Sequence, residues 1–223
     1  MWIKICCIQN EDEARLAIRH GADAIGLVSR MPSGPGVISD ERIAEIVGSV
    51  DGSVETFLLT SRLSPEDIAT QVDMTKASAV QLCDRLSAAD YPTLRGLLPA
   101  TRLIQVVHVE GEDSRAAALE LEPHVDGLLL DTGRPNATVR ELGGTGRTHD
   151  WSVSRRIVES ATKPVYLAGG LRAENVANAI RSVRPSGVDL CSGVRVEGAL
   201  DETRLRAFVA AARAGKGFRD RSS

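Results

Sequence analysis

Aromatic side chains are scarce: two tryptophans, two tyrosines and three phenylalanines make up 3% of the 223 residues. Aliphatic side chains and alanine must therefore build the core. Cysteine is also sparse. Its four positions, Cys6, Cys7, Cys83 and Cys191, are irregularly spaced, which is no disulfide framework, so free thiols are expected. There is no basic excess either. With 27 basic and 30 acidic side chains the net charge is -3, which offers no general attraction for nucleic acid or an anionic membrane. No apolar run approaches the ~20 residues of a membrane span, and the opening Met1–Cys7 does not read as a signal peptide. What is present is 43% hydrophobic, too apolar for a disordered chain and long enough for a sizeable core. A globular, soluble, cytoplasmic protein is expected.

Short β-branched runs alternate with segments of helical spacing. The runs are Trp2–Cys7, Asp23–Ser29, Val54–Thr60, Ser78–Cys83, Leu103–Val109, Val125–Asp131, Pro164–Gly170 and Gly187–Cys191. Nearly continuous apolar strands alternating with helices imply a parallel sheet whose outer face is covered. Two α/β architectures accommodate this, a doubly wound sheet and a closed (β/α)8 TIM barrel. The first would place G-x-G-x-x-G directly after strand one in a dinucleotide-binding protein. The residues there are Cys6-Cys7-Ile8-Gln9-Asn10, so the barrel is favoured. Residues 1–214 should form one catalytic barrel, and 215–223 a polar, disordered tail.

Active sites of such barrels form at the C-terminal ends of the strands. Alternation sets Trp2, Lys4 and Cys6 on one face of strand one and Ile3, Ile5 and Cys7 on the other. The apolar pair should meet the helices, which turns Cys6 into the barrel mouth, where a thiol can serve as base or nucleophile. Asp131 ends strand six before a loop, which weakens a capping role and leaves an acid/base role open. Three glycine-rich turns follow, containing Gly144, Thr145 and Gly146, then Gly169 and Gly170, then Ser192 and Gly193. The last two close strands seven and eight, where backbone N–H groups and helix N-termini commonly bind phosphate in this fold. No metal is expected, because Cys83 and Cys191 would face each other across the barrel and Zn–S bonds are only ~2.3 Å. Lys4, Glu55, Gln81, Gln105 and Asp189 read as a polar layer inside the strands. Lys4 and Asp189 would pair across strands one and eight, and Lys4 would favour the Cys6 thiolate.

These motifs resemble the phosphoribosylanthranilate isomerase family. The resemblance rests on Lys4-Ile5-Cys6, Gly21–Ala24, Leu128–Thr132, Gly143–Trp151, Ala168–Val176 and Gly187–Val194, in the family's order and spacing. It implies an Amadori rearrangement of a small phosphorylated sugar, without a cofactor, in tryptophan synthesis. Asp131 would be the general acid that opens the furanose, and Cys6 the general base at C2. Three positions depart from the pattern. Cys7 replaces the glycine after the catalytic cysteine, Gln81-Leu82-Cys83-Asp84 stands for Q-L-H-G, and Gly36 replaces the arginine of S-P-R. A substrate carboxylate would then need another guanidinium, with Arg30, Arg134 and Arg147 as candidates. Other readings are an isomerase of the same mechanism on a different phosphorylated amino-sugar, and a non-catalytic phospho-ligand barrel. Retention of Cys6 and Asp131 argues against the last. No nucleic-acid or membrane partner is expected, and the chain should be a monomer or homodimer.

Overall fold

The computed structural model describes residues 1–52, 54–133 and 148–216. Eight parallel strands form a closed barrel: β1 (Trp2–Ile5), β2 (Ala24–Val28), β3 (Glu55–Thr60), β4 (Ala79–Leu82), β5 (Arg102–His108), β6 (Gly127–Asp131), β7 (Val165–Leu167) and β8 (Gly187–Leu190). Around them lie α1 (Glu11–Arg19), α2 (Asp40–Ser49), α3 (Pro65–Thr75), α4 (Asp90–Leu97), α5 (Asp113–Leu121), α6 (Trp151–Ser160), α7 (Ala173–Val183) and α8 (Glu202–Lys216). A two-stranded ribbon of β9 (Arg195–Val196) and β10 (Ala199–Leu200) precedes α8. Local chemistry starts these helices. Asn10, Ser39 and Ser64 each accept the backbone N–H three residues on, and Pro65 fills the first turn of α3.

Closure pairs β1 with β8 in the register Lys4 to Asp189. Side chains pointing outward, such as Ile3, Ile5, Val80 and Leu128, pack against the helices in one apolar layer. A second cluster fills the barrel itself and includes Cys6, Phe57, Leu59, Ile104, Leu129 and Tyr166. Three of the few aromatics form the floor, with the Trp2 ring 5.9 Å from Phe57 and 4.7 Å from Tyr166. Arg102 lies over them and pairs with Glu55 at 2.6 Å. Gly187 makes the floor possible, because a Cβ there would come 2.7 Å from the Trp2 ring.

Helix α8 runs through Lys216, and Gly215 lies close against Ala177 of α7. Residues 217–223, the rest of the expected tail, lie outside the described residues. Among the described residues no helix is long and apolar enough to cross a membrane.

Candidate active site

One pocket opens at the C-terminal ends of the strands, and Cys6, Asp131, Gly169, Gly170 and Ser192 all line it. The fold thus brings together five candidates spread over the sequence. Gly193 is the next residue of the Ser192 turn, and a side chain there would meet the Leu171 carbonyl at 2.2 Å. Gly144, Thr145, Gly146, Arg134 and Arg147 lie outside the described residues. Arg30 is exposed and is not part of the lining, where Met31 stands instead. Its backbone carbonyl accepts a bond from Ser61 Oγ at 3.1 Å.

Cys6 follows β1, its N–H bonded to the Leu190 carbonyl at 2.8 Å. Its thiol is buried against β2, where Gly26 leaves it space: a Cβ at 26 would sit 2.8 Å from Cys6 Sγ. That glycine lies inside an ordinary apolar strand, so nothing in the pattern marks it. Below the thiol, Lys4 Nζ lies 3.1 Å from Asp189 Oδ2 and also donates to Gln81 Oε1. The expected pair is therefore present, and Lys4 favours the Cys6 thiolate as expected, but larger effects outweigh it. Burial, reinforced by the Asp189 charge and only partly opposed by Lys4, pushes the Cys6 thiol up to about 12. The resting site holds Cys6 protonated.

Asp131 ends β6 and is half-buried. Its Oδ1 accepts the Thr132 N–H at 2.7 Å. Thr132 Oγ1 meets His149 Nδ1 at 3.1 Å, and His149 Nε2 meets Ser154 Oγ at 2.7 Å. Burial lowers His149 to about 4, against a smaller opposing pull from Asp150. A neutral imidazole thus links the residue beside Asp131 to α6. His149 lies in the Gly143–Trp151 segment that carries part of the family resemblance.

The cysteines need a correction. Cys7 and Cys191, expected as free thiols, form a disulfide with Cα atoms 5.8 Å apart, within the usual span. Barrel closure brings them together across 184 positions, so no local spacing announces the pair. Cys7 was also expected to face the helices. Strand β1 stops at Ile5, and a φ of 63° at Cys7 breaks the alternation and turns this residue into the pocket lining. Gly36 then packs on it. A Cβ at 36 would lie 2.5 Å from Cys7 Cβ, and φ at 36 is 78°. Two departures from the family motif, Cys7 for glycine and Gly36 for arginine, are thus in contact.

The strand-seven turn uses glycine for its conformation, with φ of 82° at Gly169 and 61° at Gly170. Asn175, in the first turn of α7, holds this turn by donating to the Gly170 carbonyl at 2.9 Å. Gly170 and Ser192 so flank one rim of the pocket, at the start of α7 and of the turn after β8.

The family model described as N-(5'-phosphoribosyl)anthranilate (PRA) isomerase matches residues 3–211. An N-(5'-phosphoribosyl)anthranilate isomerase of Haloferax volcanii is 37% identical over 98% of this chain and 96% of its own. The crystal structure of phosphoribosyl anthranilate isomerase from Thermotoga maritima superposes with a TM-score of 0.81 at 30% identity, covering 96% of this chain and 99% of that one. A phosphoribosyl anthranilate isomerase in complex with reduced 1-(o-carboxyphenylamino)-1-deoxyribulose 5-phosphate gives 0.79 at 28%, with the same coverage. The chain belongs to the phosphoribosylanthranilate isomerase family.

Proposed function

We propose that this protein isomerises N-(5'-phosphoribosyl)anthranilate by an Amadori rearrangement, as a cytoplasmic step of tryptophan synthesis. The observation that carries the reading is the convergence of Cys6, Asp131 and the Gly170 and Ser192 turns on one pocket. Proton bookkeeping then follows from the burial of Cys6. Between them the resting thiol and the Asp131 carboxylate hold one proton. With substrate bound, that proton moves from Cys6 through Asp131 to the furanose oxygen in concert with the breaking of the C1–O bond. The nitrogen lone pair forms the C1 iminium, whose positive charge stabilises the Cys6 thiolate nearby. The thiolate takes the C2 proton, and the electron pair neutralises the iminium. The enaminol tautomerises to the 1-amino-1-deoxyribulose. Cys6 ends protonated and Asp131 ionised, the state in which the cycle began. The phosphate rests on the Gly169-Gly170 and Ser192-Gly193 turns, with Gly144, Thr145 and Gly146 contributing.

Among the described residues no lysine or arginine lines the pocket. We assign the substrate carboxylate to Arg134 or Arg147. Gly36, standing where the family pattern has an arginine, favours a second reading, an uncarboxylated amine adduct as substrate. Steady-state kinetics on the anthranilate adduct test both. Cys6→Ala and Asp131→Asn should each lower kcat by about 10²–10⁴-fold with Tm kept. Arg134→Ala or Arg147→Ala should raise KM about tenfold, the effect of one lost charge-assisted hydrogen bond. Near wild-type kcat in either catalytic variant would overturn the mechanism. No effect of either arginine would favour the uncarboxylated substrate.

A further inference from the structure

Two independent attachments join the turn after β8 to a single residue, Cys7. At the turn's start Cys191 is bonded to Cys7 through sulfur. At its end Arg195 donates from its guanidinium to the Cys7 carbonyl, and is itself held by Glu13 through bonds of 3.0 and 2.7 Å. Ser192 and Gly193, assigned above to phosphate, lie between these two points. Cys7 is also the residue directly after Cys6. Its φ of 63° is a conformation glycine adopts freely and other residues adopt at a penalty, so a cysteine here is set against the local backbone preference.

We propose that Cys7 and Cys191 form a thiol–disulfide exchange site, whose oxidation state sets how firmly the Ser192-Gly193 turn is held for phosphate. This rests on the phosphate assignment made above. The exchange partner is a low-molecular-weight disulfide and its thiol. Cys191 is half-buried whereas Cys7 is buried, so Cys191 is the sulfur that outside reagents reach. Its thiolate attacks one sulfur of the small disulfide and expels the first small thiol, leaving a mixed disulfide on Cys191. The Cys7 thiolate then attacks Cys191 Sγ, breaks that bond and expels the second. Two protein thiols lose two electrons and two protons, and the small disulfide becomes two thiols. The reverse sequence opens the bridge. Reduction leaves only the Arg195 attachment, so the turn must be ordered when the anion binds and affinity falls.

Two measurements decide the matter, neither needing turnover. After oxidised glutathione the protein is denatured, alkylated and weighed, and two cysteines should react, Cys6 and Cys83. After dithiothreitol all four should react, and a peptide map of the oxidised form should join Cys7 to Cys191. Calorimetric titration with inorganic phosphate should then give a Kd about two- to tenfold higher for the reduced protein, the effect of one additional segment to immobilise. In Cys7→Gly, and independently in Cys191→Ser, the Kd should not respond to either reagent. Four reactive thiols after oxidised glutathione would overturn the proposal, as would a bridged form with unchanged phosphate affinity. Absence of phosphate binding in both forms would overturn the phosphate assignment and the coupling with it, while the thiol count still judges the bridge.

Discussion

His149 shows how one buried side chain makes stability depend on pH. Its folded-state value of about 4 lies below the 6.5 expected when unfolded. Between these values the unfolded chain binds a proton that the folded one does not, so acidification favours unfolding. The contribution is complete above about pH 6.5 and is lost as pH falls towards 4, reaching at most ~3 kcal/mol. Denaturant unfolding at pH 7 and pH 4.5 should show this loss in the wild type and a shallower one in His149→Phe. Equal slopes for the two proteins would refute it. At this scale the sequence was informative where position alone decided the matter. The strand ends placed Cys6 and Asp131. It failed where two effects competed, since the charge of Lys4 is visible in the sequence but the burial that outweighs it at Cys6 is a property of the packed barrel.

Strands β1, β4 and β8 meet through Lys4, Gln81 and Asp189, all nearly inaccessible. Removing one partner of a buried ion pair leaves the other charged and unpaired, which typically costs about 3–5 kcal/mol, whereas replacing both by apolar groups is often close to neutral. Lys4→Met should therefore be strongly destabilising, and Lys4→Met with Asp189→Leu should recover most of the loss in urea unfolding. A double variant no more stable than the single one would contradict this account. Alternation was sufficient to find this layer, because Lys4 and Asp189 face inward on adjacent strands. The same alternation misplaced Cys7, where the strand had already ended and a left-handed residue reversed the direction of the side chain. The interior of β1 obeys the period of two, and beyond its end Cys6 still follows it while Cys7 does not.

On the scale of the whole molecule, closure is the property on which everything else depends. It sets Lys4 beside Asp189 and Cys7 beside Cys191, contacts between the two ends of the chain that no local pattern encodes. The alternation of strands and helices left a doubly wound sheet and a barrel, and the missing G-x-G-x-x-G after strand one favoured the barrel, yet the disulfide followed only from the register of the closing pair. Helix α8 completes the structure by covering the seam. It buries Leu205 and Phe208 fully, and its neighbour α7 is its main support. Burying two such side chains contributes ~3–6 kcal/mol, which is comparable with the whole stability of many domains. The barrel should accordingly unfold as one unit, with α8 unable to detach while the strands remain paired. Phe208→Ala should cost about 3–5 kcal/mol and lower Tm by roughly 10 °C. The two tryptophans report on distant parts, Trp2 on the barrel floor and Trp151 at the start of α6. Their fluorescence and the far-ultraviolet circular dichroism should lose signal at one common midpoint in both wild type and variant. If the variant instead lost part of its helical signal well before its tryptophan signal, α8 would be a separable element, and closure would not be what holds the two ends of the chain together.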